Sequence, residues 1–278
     1  MLQITEENLG GQIGEMTRPR DPCGHKGNFG TAAVIAGSAC YRGCATLNCM
    51  GALRSGCGIV RLISTERVIS SVVIPEVTFM PAKESAEGMI EDLPENAFRG
   101  AGAVLFGSGL GTGPSVLSML MKIPKGLPAV IDADGLNSVA VYGSPDVLSG
   151  RIITPHTGEF ARLLNTEADD VMMNREGFAR TFAERYGVTV VLKDAVTVVA
   201  SPGCQGAWVS VPNSGMAKGG SGDLLGGVIV SLLAQGYGPY EAALLGVLLH
   251  CRAGLAAKNA LGEANMLPSD AARYICRK

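Results

Sequence analysis

The sequence predicts an α/β protein in which a central, mostly parallel sheet is covered by helices. Short apolar runs recur along the chain, and most of them end in Gly, Ser, Asp or Pro. Segments with helical spacing lie between several of these runs, as the crossover connections of a parallel sheet require. The 278 residues are 47% apolar and include 38 glycines, which is enough for a large core with many tight turns. We expect one domain over residues 1–278.

The elements follow from these patterns in chain order. The predicted sheet strands are TAAVIAGS (31–38), GIVRLIS (58–64), GAVLFGSG (102–109), AVIDAD (129–134), RIITP (151–155) and TVVLKD (189–194). The predicted helices are 45–56, 156–165, 220–235 and 240–259. The runs 197–201 and 206–212 are joined by PGCQ and predict a β-hairpin appended to the sheet. The polar stretch 80–100 is expected on the surface.

Charge and cysteine content limit the partners and the compartment. The formal net charge of −2 gives no basic field for a phosphate polymer, so a nucleic-acid partner is excluded. Eight cysteines without a CxxC pair favour reduced thiols over zinc ligands or disulfides. The N-terminus has no signal-peptide pattern, and no run approaches the ~18 apolar residues of a membrane span. We expect a soluble, cytoplasmic protein that acts on small molecules.

The stretch NSGMAKGGSGDLLGG (213–227) is the first candidate for chemistry. Its glycines allow backbone amides to converge at the start of an apolar helix, which favours phosphate binding. Asp223 lies in the first turn of that helix, beside the possible phosphate. The pattern is not a Walker loop, because GxxxxGK followed by Ser or Thr is absent. A flexible loop whose aspartate only favours the helix dipole remains an alternative.

The segment KGGSGDLLGGVIVSLLAQG resembles the signature of the ribokinase-like superfamily, whose GxGD element holds an anion hole and a base. Further segments resemble, in order, the blocks of the ADP- or ATP-dependent NAD(P)H-hydrate dehydratases. They are KGNFGTAAVIAGS (26–38), GCATLNCMGALRSGCG (43–58), LFGSGLGTGP (105–114), VIDADGLN (130–137), ITPHTGEFARLL (153–164) and VVLKDAVTVV (190–199). The resemblance covers nearly the whole chain. It implies a ribokinase-like α/β/α fold and a repair reaction that returns the S epimer of hydrated NADH or NADPH to the intact dinucleotide.

The implied chemistry begins with phosphorylation of the C6 hydroxyl of the hydrated ring, with ADP as the expected donor and Mg²⁺ on its phosphates. Phosphate is a better leaving group than hydroxide, so the ring nitrogen can expel it. Asp223 matches the base of the family and would accept the hydroxyl proton. The amides around Gly220, Ser221 and Gly222 would stabilise the transferring phosphoryl group.

The resemblance also implies contacts with the hydrated dinucleotide. Besides Asp223, these contacts are Cys44, Ala45, Gly109, Gly111 and His156. Small residues and glycines allow a ligand to approach the backbone closely, although helix packing explains Cys44 and Ala45 equally well. His156 follows a strand end, and a purely structural role is its alternative. His250 lies among apolar residues and is expected to be a satisfied core or interface histidine.

A separate block is implied to contact the adenine nucleotide. It comprises Lys193, Asp194, Ala195, Val196 and Thr197, with further contacts expected from Asn213, Lys218 and Gly222. Asp194 replaces the usual Gly, Thr157 the usual Pro and Ser221 the usual Thr. Because an acid would repel a phosphate, the Asp194 side chain is expected to point away or to contact the ribose or base.

Two carboxylates at predicted strand and helix ends are candidate magnesium ligands. Asp132 ends a strand beside Asp134 and could orient a ligand or a metal-bound water. Glu159 follows His156 and could equally serve the start of a helix. Asn137, a polar residue near a helix start, is grouped with these carboxylates. Helix capping is the alternative role for Asn137.

Two rival functions remain open at this level. One is an ATP-dependent kinase of the same superfamily that acts on a vitamin-precursor alcohol, and the other is an inactive nucleotide-binding regulator. The blocks at 107–113 and 154–159 count against the kinase, and Asp223 counts against the regulator. The resemblance also implies a homo-tetramer. With no room for an epimerase domain, the chain is expected to repair one epimer and to rely on a separate epimerase.

Overall fold

The computed structural model describes residues 1–276 and contains a ten-stranded sheet in the order β1-β12-β11-β10-β9-β8-β7-β2-β3-β4. The strands are β1 (Leu2–Thr5), β2 (Thr31–Ile35), β3 (Ile59–Ser64), β4 (Val77–Pro81), β5 (Lys83–Glu84), β6 (Ile90–Asp92), β7 (Ala103–Phe106), β8 (Ala129–Ile131), β9 (Ile152–Ile153), β10 (Thr189–Leu192), β11 (Val196–Ala200) and β12 (Ala207–Ser210). All pairs in the large sheet are parallel except the two that β11 makes. The predicted, mostly parallel sheet is therefore confirmed.

Helices cover both faces of this sheet. They are α1 (Glu6–Met16), α2 (Gly43–Arg54), α3 (Glu66–Ile69), α4 (Pro114–Met121), α5 (Ala133–Tyr142), α6 (Thr157–Leu164), α7 (Ala168–Met173), α8 (Arg175–Tyr186), α9 (Ser221–Ala234), α10 (Pro239–Leu261) and α11 (Pro268–Arg273). One core cluster packs α1, α2, α9 and α10 on one face, and a second packs α4, α5, α6 and α8 on the other. The result is the predicted α/β/α layering. Within residues 1–276 no helix is both long and apolar enough to cross a membrane.

Two regions differ from the sequence-based expectation. The hairpin β11–β12 forms as predicted, but β1 extends it by pairing in parallel with β12. This strand was not predicted because it has four residues, of which only Ile4 is classed as buried. The stretch 80–100 is not merely a surface segment. It forms the antiparallel pair β5–β6 and buries Ile90 and Ala97, which are 2% and 1% exposed.

Glycines set the distance between α2 and α9. A Cβ atom added to Gly227 would lie 2.1 Å from the Asn48 carbonyl oxygen, and one added to Gly51 would lie 2.4 Å from the Leu224 carbonyl oxygen. The two backbones are therefore in direct contact, which fixes the start of α9 beside α2. Because β2, β7, β8, β9 and β10 are parallel, the loops that follow them meet at one edge of the sheet.

Candidate active site

The loops at this edge converge on the start of α9. The Lys193 Nζ lies 2.8 Å from Asp132 Oδ1, which joins the loop after β10 to the loop after β8. His156, after β9, forms an isolated parallel bridge with Lys193. A Cβ atom on Gly222 would lie 3.2 Å from the same Lys193 Nζ, so the glycine-rich loop belongs to this group too.

The glycine-rich loop presents free backbone donors at the start of α9. Gly220 has φ +99°, which a residue with a side chain adopts only with strain. The amide of Ser221 donates to the Lys218 carbonyl at 3.3 Å. The amides of Gly220, Gly222 and Asp223 have no acceptor within residues 1–276. At the positive end of a 14-residue helix, these donors form an anion site.

Asp223 lies beside this anion site in an environment that alters its acidity. Burial, and then repulsion from Asp132, raises the pKa of Asp223 from 3.8 to about 6, against the opposing effects of Ser108 and Lys193. A carboxylate with this pKa is mostly ionised at neutral pH, yet it is a stronger base than an ordinary aspartate. The structure therefore gives Asp223 the properties that a general base needs.

Asn48 fixes the backbone of Asp223 and was missed in the sequence. Its Nδ2 donates to the Asp223 carbonyl at 2.7 Å, and its side chain is fully buried in α2. A single asparagine among small and apolar residues of a helix was the available signal. Nothing local, however, indicated a partner in α9.

Lys193 is the positive centre of the site. Burial opposes its charge, but attraction from Asp132 and Glu159 outweighs burial and raises the pKa of Lys193. Asp132 is only 2% exposed and has this ammonium as its ion-pair partner. Within residues 1–276 no group of three or more His, Cys, Asp or Glu side chains is placed to hold a metal ion.

His156 and Glu159 together cap α6. The His156 Nδ1 accepts hydrogen bonds from the amides of Gly158 and Glu159, and Glu159 Oε2 accepts one from the His156 amide at 2.9 Å. Glu159 therefore serves the helix start, one of its two expected roles. Burial, then Lys193 and Arg162, lower the pKa of His156, so the ring is neutral at pH 7. Since Nδ1 accepts, Nε2 carries the proton, and it lies 3.4 Å from Glu159 Oε1.

The glycines of the loop after β7 face the start of α2. Gly109 and Gly111 have φ of +65° and +79°, and a Cβ atom on Gly109 would lie 2.7 Å from Cys44 Sγ. Burial, and then Asp223, raise the pKa of Cys44 to about 12, so its thiol stays protonated. The Ala45 side chain is fully buried, which favours the helix-packing alternative for that residue.

Asp194 in the nucleotide block and Thr157 at the start of α6, two departures from the family pattern, contact each other. Asp194 Oδ1 accepts from the Ala195 amide at 2.7 Å, and Oδ2 accepts from the Thr157 hydroxyl at 3.3 Å. The Arg175 guanidinium lies 3.8 Å from the same Oδ2. Arg175 also donates to the carbonyls of Leu192 and Val196 and was not predicted from sequence. Asp194 is therefore partly neutralised within the protein. The Thr197 hydroxyl donates to the Asp194 backbone carbonyl at 3.4 Å.

Asn213 and Lys218 hold the glycine-rich loop in place. The Asn213 side chain accepts from the Gly215 amide at 3.1 Å and caps a short 3-10 helix. The Lys218 ammonium donates to the Ala264 carbonyl at 2.8 Å and also to the Met266 carbonyl. This lysine thus ties the loop to the segment before α11. Nucleotide contacts by Asn213 and Lys218 stay predictions.

His250 lies in α10 beneath the start of α9. Burial lowers its pKa to about 4, and a hydrogen bond with the backbone of Ser221 opposes this shift. This bond agrees with the expectation of a satisfied histidine, although Nε2 has no partner in the part of the chain that the structure describes.

The layered α/β/α fold, with free amides and a basic carboxylate at one edge of its sheet, is the fold of ribokinase-like proteins. A ribokinase-like superfamily protein of Enterococcus faecalis has this fold, with a TM-score of 0.83, 23% identity and coverage of 98% of this chain and 94% of that chain. An ADP/ATP-dependent NAD(P)H-hydrate dehydratase of Bacillus subtilis superposes with a TM-score of 0.81 and 27% identity, over 96% of this chain and 94% of that chain.

Comparison of sequences specifies the family. The model of the NAD(P)H-hydrate dehydratase family matches residues 32–277. An ADP-dependent (S)-NAD(P)H-hydrate dehydratase of Neisseria meningitidis is 37% identical, over 86% of this chain and 81% of its own length. A bifunctional NAD(P)H-hydrate repair enzyme of Escherichia coli is 35% identical over 93% of this chain. The match covers 49% of the length of that relative. The chain belongs to the NAD(P)H-hydrate dehydratase family.

Proposed function

We propose that the chain catalyses the ADP-dependent dehydration of the S epimer of NADH hydrate and NADPH hydrate. The observation that carries the proposal is Asp223, a carboxylate with a pKa of about 6 beside the free amides of Gly220 and Gly222. The name of the Neisseria relative supports ADP and the S epimer. The Bacillus neighbour was co-crystallised with ATP and Mg²⁺, which supports an adenine nucleotide with magnesium as the donor.

In the first step, Asp223 accepts the proton of the C6 hydroxyl as the hydroxyl oxygen attacks the terminal phosphorus. The bond between that phosphorus and the bridging oxygen of ADP breaks, and AMP leaves. The amides of Gly220, Gly222 and Asp223 are fixed before the reaction and stabilise the negative charge of the transferring group. Lys193, close to Gly222, adds a positive charge on the same side.

In the second step, the ring nitrogen donates its electron pair and the bond between C6 and the phosphate oxygen breaks. Loss of a proton from the adjacent carbon then restores the ring double bond, so the products are inorganic phosphate and NADH or NADPH. We propose that His156 Nε2 donates to the dinucleotide and that Cys44, Gly109 and Gly111 line its site. The neutral thiol of Cys44 adds no charge near the substrate.

Oxygen ligands at this edge suit magnesium, because Asp132 and Glu159 are buried carboxylates close to Lys193. Both already have protein partners, so we propose that Mg²⁺ is held mainly by the nucleotide phosphates, with these carboxylates orienting its waters. When bound, the ion neutralises phosphate charge. The adenosine would lie along Lys193–Thr197 and the loop of Asn213 and Lys218.

The remaining proposals concern the assembly and its setting. We propose one domain, since a single sheet collects strands from Leu2 to Ser210. We also propose a cytoplasmic homo-tetramer that works beside a separate epimerase, which converts the R epimer to the S epimer.

One assay tests the activity directly. Purified protein is incubated with S-epimer NADH hydrate, Mg²⁺ and either ADP or ATP, and the return of NADH absorbance is followed. Recovery with ADP is expected, with AMP and phosphate formed in equal amounts. No recovery with either nucleotide would contradict the dehydratase proposal, and phosphorylation of an added alcohol without NADH formation would favour the kinase.

A further inference from the structure

Two large apolar side chains are exposed next to the loop after β7. Tyr41 is 64% exposed and Met89 is 38% exposed, and neither belongs to a motif that the family resemblance identifies. Tyr41 lies in the loop between β2 and α2, and Met89 lies in the turn between β5 and β6. Exposed side chains of this size are common singly, but a pair beside a candidate substrate site suggests contact with a ligand.

Both side chains lie against the two glycines of that loop. A Cβ atom on Gly109 would lie 2.8 Å from Tyr41 Cβ, and one on Gly111 would lie 2.8 Å from Met89 Sδ. Any side chain at either glycine would collide with them. The glycines therefore leave room for Tyr41 and Met89.

Backbone hydrogen bonds hold the two segments together. The Ala39 amide donates to the Gly88 carbonyl at 2.8 Å, which joins the loop of Tyr41 to the turn of Met89. The Gly37 amide donates to the Ser108 carbonyl at 2.8 Å, which joins the same loop to the residues after β7. The backbones of both segments are thus held together without a ligand, which reduces the entropy cost of binding one.

The backbone of Tyr41 is close to residues of the candidate reacting centre. The Cys44 thiol donates to the Tyr41 carbonyl at 3.0 Å, and the negative charge of Asp223 acts on this thiol. Among the described residues, no ring or guanidinium stacks on Tyr41, whereas Arg18 stacks on Tyr237 and Arg20 on Phe29. The exposed Tyr41 ring therefore has no aromatic or cationic partner in the part of the chain that the structure describes.

We propose that Tyr41 and Met89 form an apolar clamp on the hydrated nicotinamide ring of the substrate. The Tyr41 ring stacks on the planar part of that ring, which runs from the nitrogen through the double bond to the carboxamide, and the Met89 thioether covers its edge. The clamp rests on the proposed function and deepens it. It positions the C6 hydroxyl toward Asp223 and takes no part in proton transfer.

The test compares KM values for the hydrate. Tyr41→Ala and Met89→Ala are each expected to raise KM about five- to tenfold, as the loss of one stacking or sulfur contact does. Tyr41→Phe is expected to keep the wild-type KM, because it keeps the ring. NADH hydrate and NADPH hydrate should be affected equally, since both contain the clamped ring, and KM for ADP should not change.

Matched controls separate the clamp from a general loss of apolar surface. Tyr142→Ala at the end of α5 and Met173→Ala at the end of α7 remove side chains that are 49% and 89% exposed and far along the chain from the clamp. They should leave KM and Tm unchanged. Tyr41→Ala should also leave Tm unchanged, which a structural role for this residue would not allow.

If the wild-type chain is active and KM for the hydrate is unchanged in Tyr41→Ala and Met89→Ala, the clamp is overturned and the proposed function is not. A Tyr41→Phe variant as poor as Tyr41→Ala would overturn it too, because the hydroxyl and not the ring would then matter. A wild-type chain without turnover would remove the proposed function and the clamp with it.

Discussion

Asp132 and Lys193 act on the pKa of Asp223 in opposite directions, so their removal should move the pH dependence of the reaction in opposite directions. Asp132 raises the pKa of Asp223, and Lys193 lowers it. Asp132→Asn removes the repulsion and also leaves Lys193 without its ion-pair partner, and both changes favour the ionised form of Asp223. Lys193→Met removes the attraction and leaves Asp132 unpaired, and both changes favour the protonated form.

The magnitude follows from the size of the total shift. The pKa of Asp223 rises from 3.8 to about 6, and burial is the largest cause, with Asp132 second. A decrease of one unit in this pKa corresponds to ~1.4 kcal/mol. Because the base must be ionised, activity is lost as the pH falls through this pKa. At pH 5, roughly one tenth of the wild type is active, and a decrease of one unit in Asp132→Asn would raise the active fraction to about one half.

The assay is the pH dependence of kcat between about pH 5 and pH 8, at saturating ADP and hydrate. The acidic limb of the curve should move to lower pH in Asp132→Asn and to higher pH in Lys193→Met. Thermal unfolding serves as the control, because an unpaired buried charge costs ~3–5 kcal/mol and lowers Tm in both variants. A limb that stays in place in Asp132→Asn, or moves to higher pH, would refute the reasoning.

Three further predictions concern the surroundings of the site. Asp194→Gly removes a carboxylate from the nucleotide block and should lower KM for ADP about two- to fivefold; a higher KM would mean that the carboxylate binds the nucleotide. Gly227→Ala places a Cβ atom 2.1 Å from the Asn48 carbonyl oxygen and should lower both Tm and kcat. Gly10→Ala is the control, because its Cβ atom has no neighbour within 4 Å, and it should lower neither quantity. Cys44, with a pKa of about 12, should react with iodoacetamide at pH 7 far more slowly than the exposed Cys23. Peptide mass spectrometry measures both rates, and equal rates would contradict a protonated Cys44 thiol.

Local patterns in the sequence predicted the sheet except its two edge strands, β1 and β4, and predicted the edge at which the candidate site lies. The strands before Asp132, His156 and Lys193 end where their turn residues begin, and parallel strands place such ends together. The assignment of chemistry to these residues depended on the resemblance, because a glycine-rich loop before a helix is compatible with a purely structural role.

Contacts between distant segments could not be predicted in the same way. The Asn48 amide reaches Asp223 across 175 positions, and Lys218 reaches Ala264 across 46. Such pairs depend on how α2, α9 and the C-terminal segment pack, and no periodicity encodes that packing. The ion pair of Lys193 with Asp132 is of the same kind: each residue was assigned to a ligand alone, and the structure shows them bound to each other.

The most direct measurement for the central claim is turnover of S-epimer NADH hydrate with ADP by Asp223→Asn, which keeps the shape of the side chain and removes its basicity. We predict that kcat falls about 10²- to 10⁴-fold while the affinity for ADP, measured by calorimetry, stays near that of the wild type. Full turnover by this variant would contradict the role of Asp223 as the base on which the account depends.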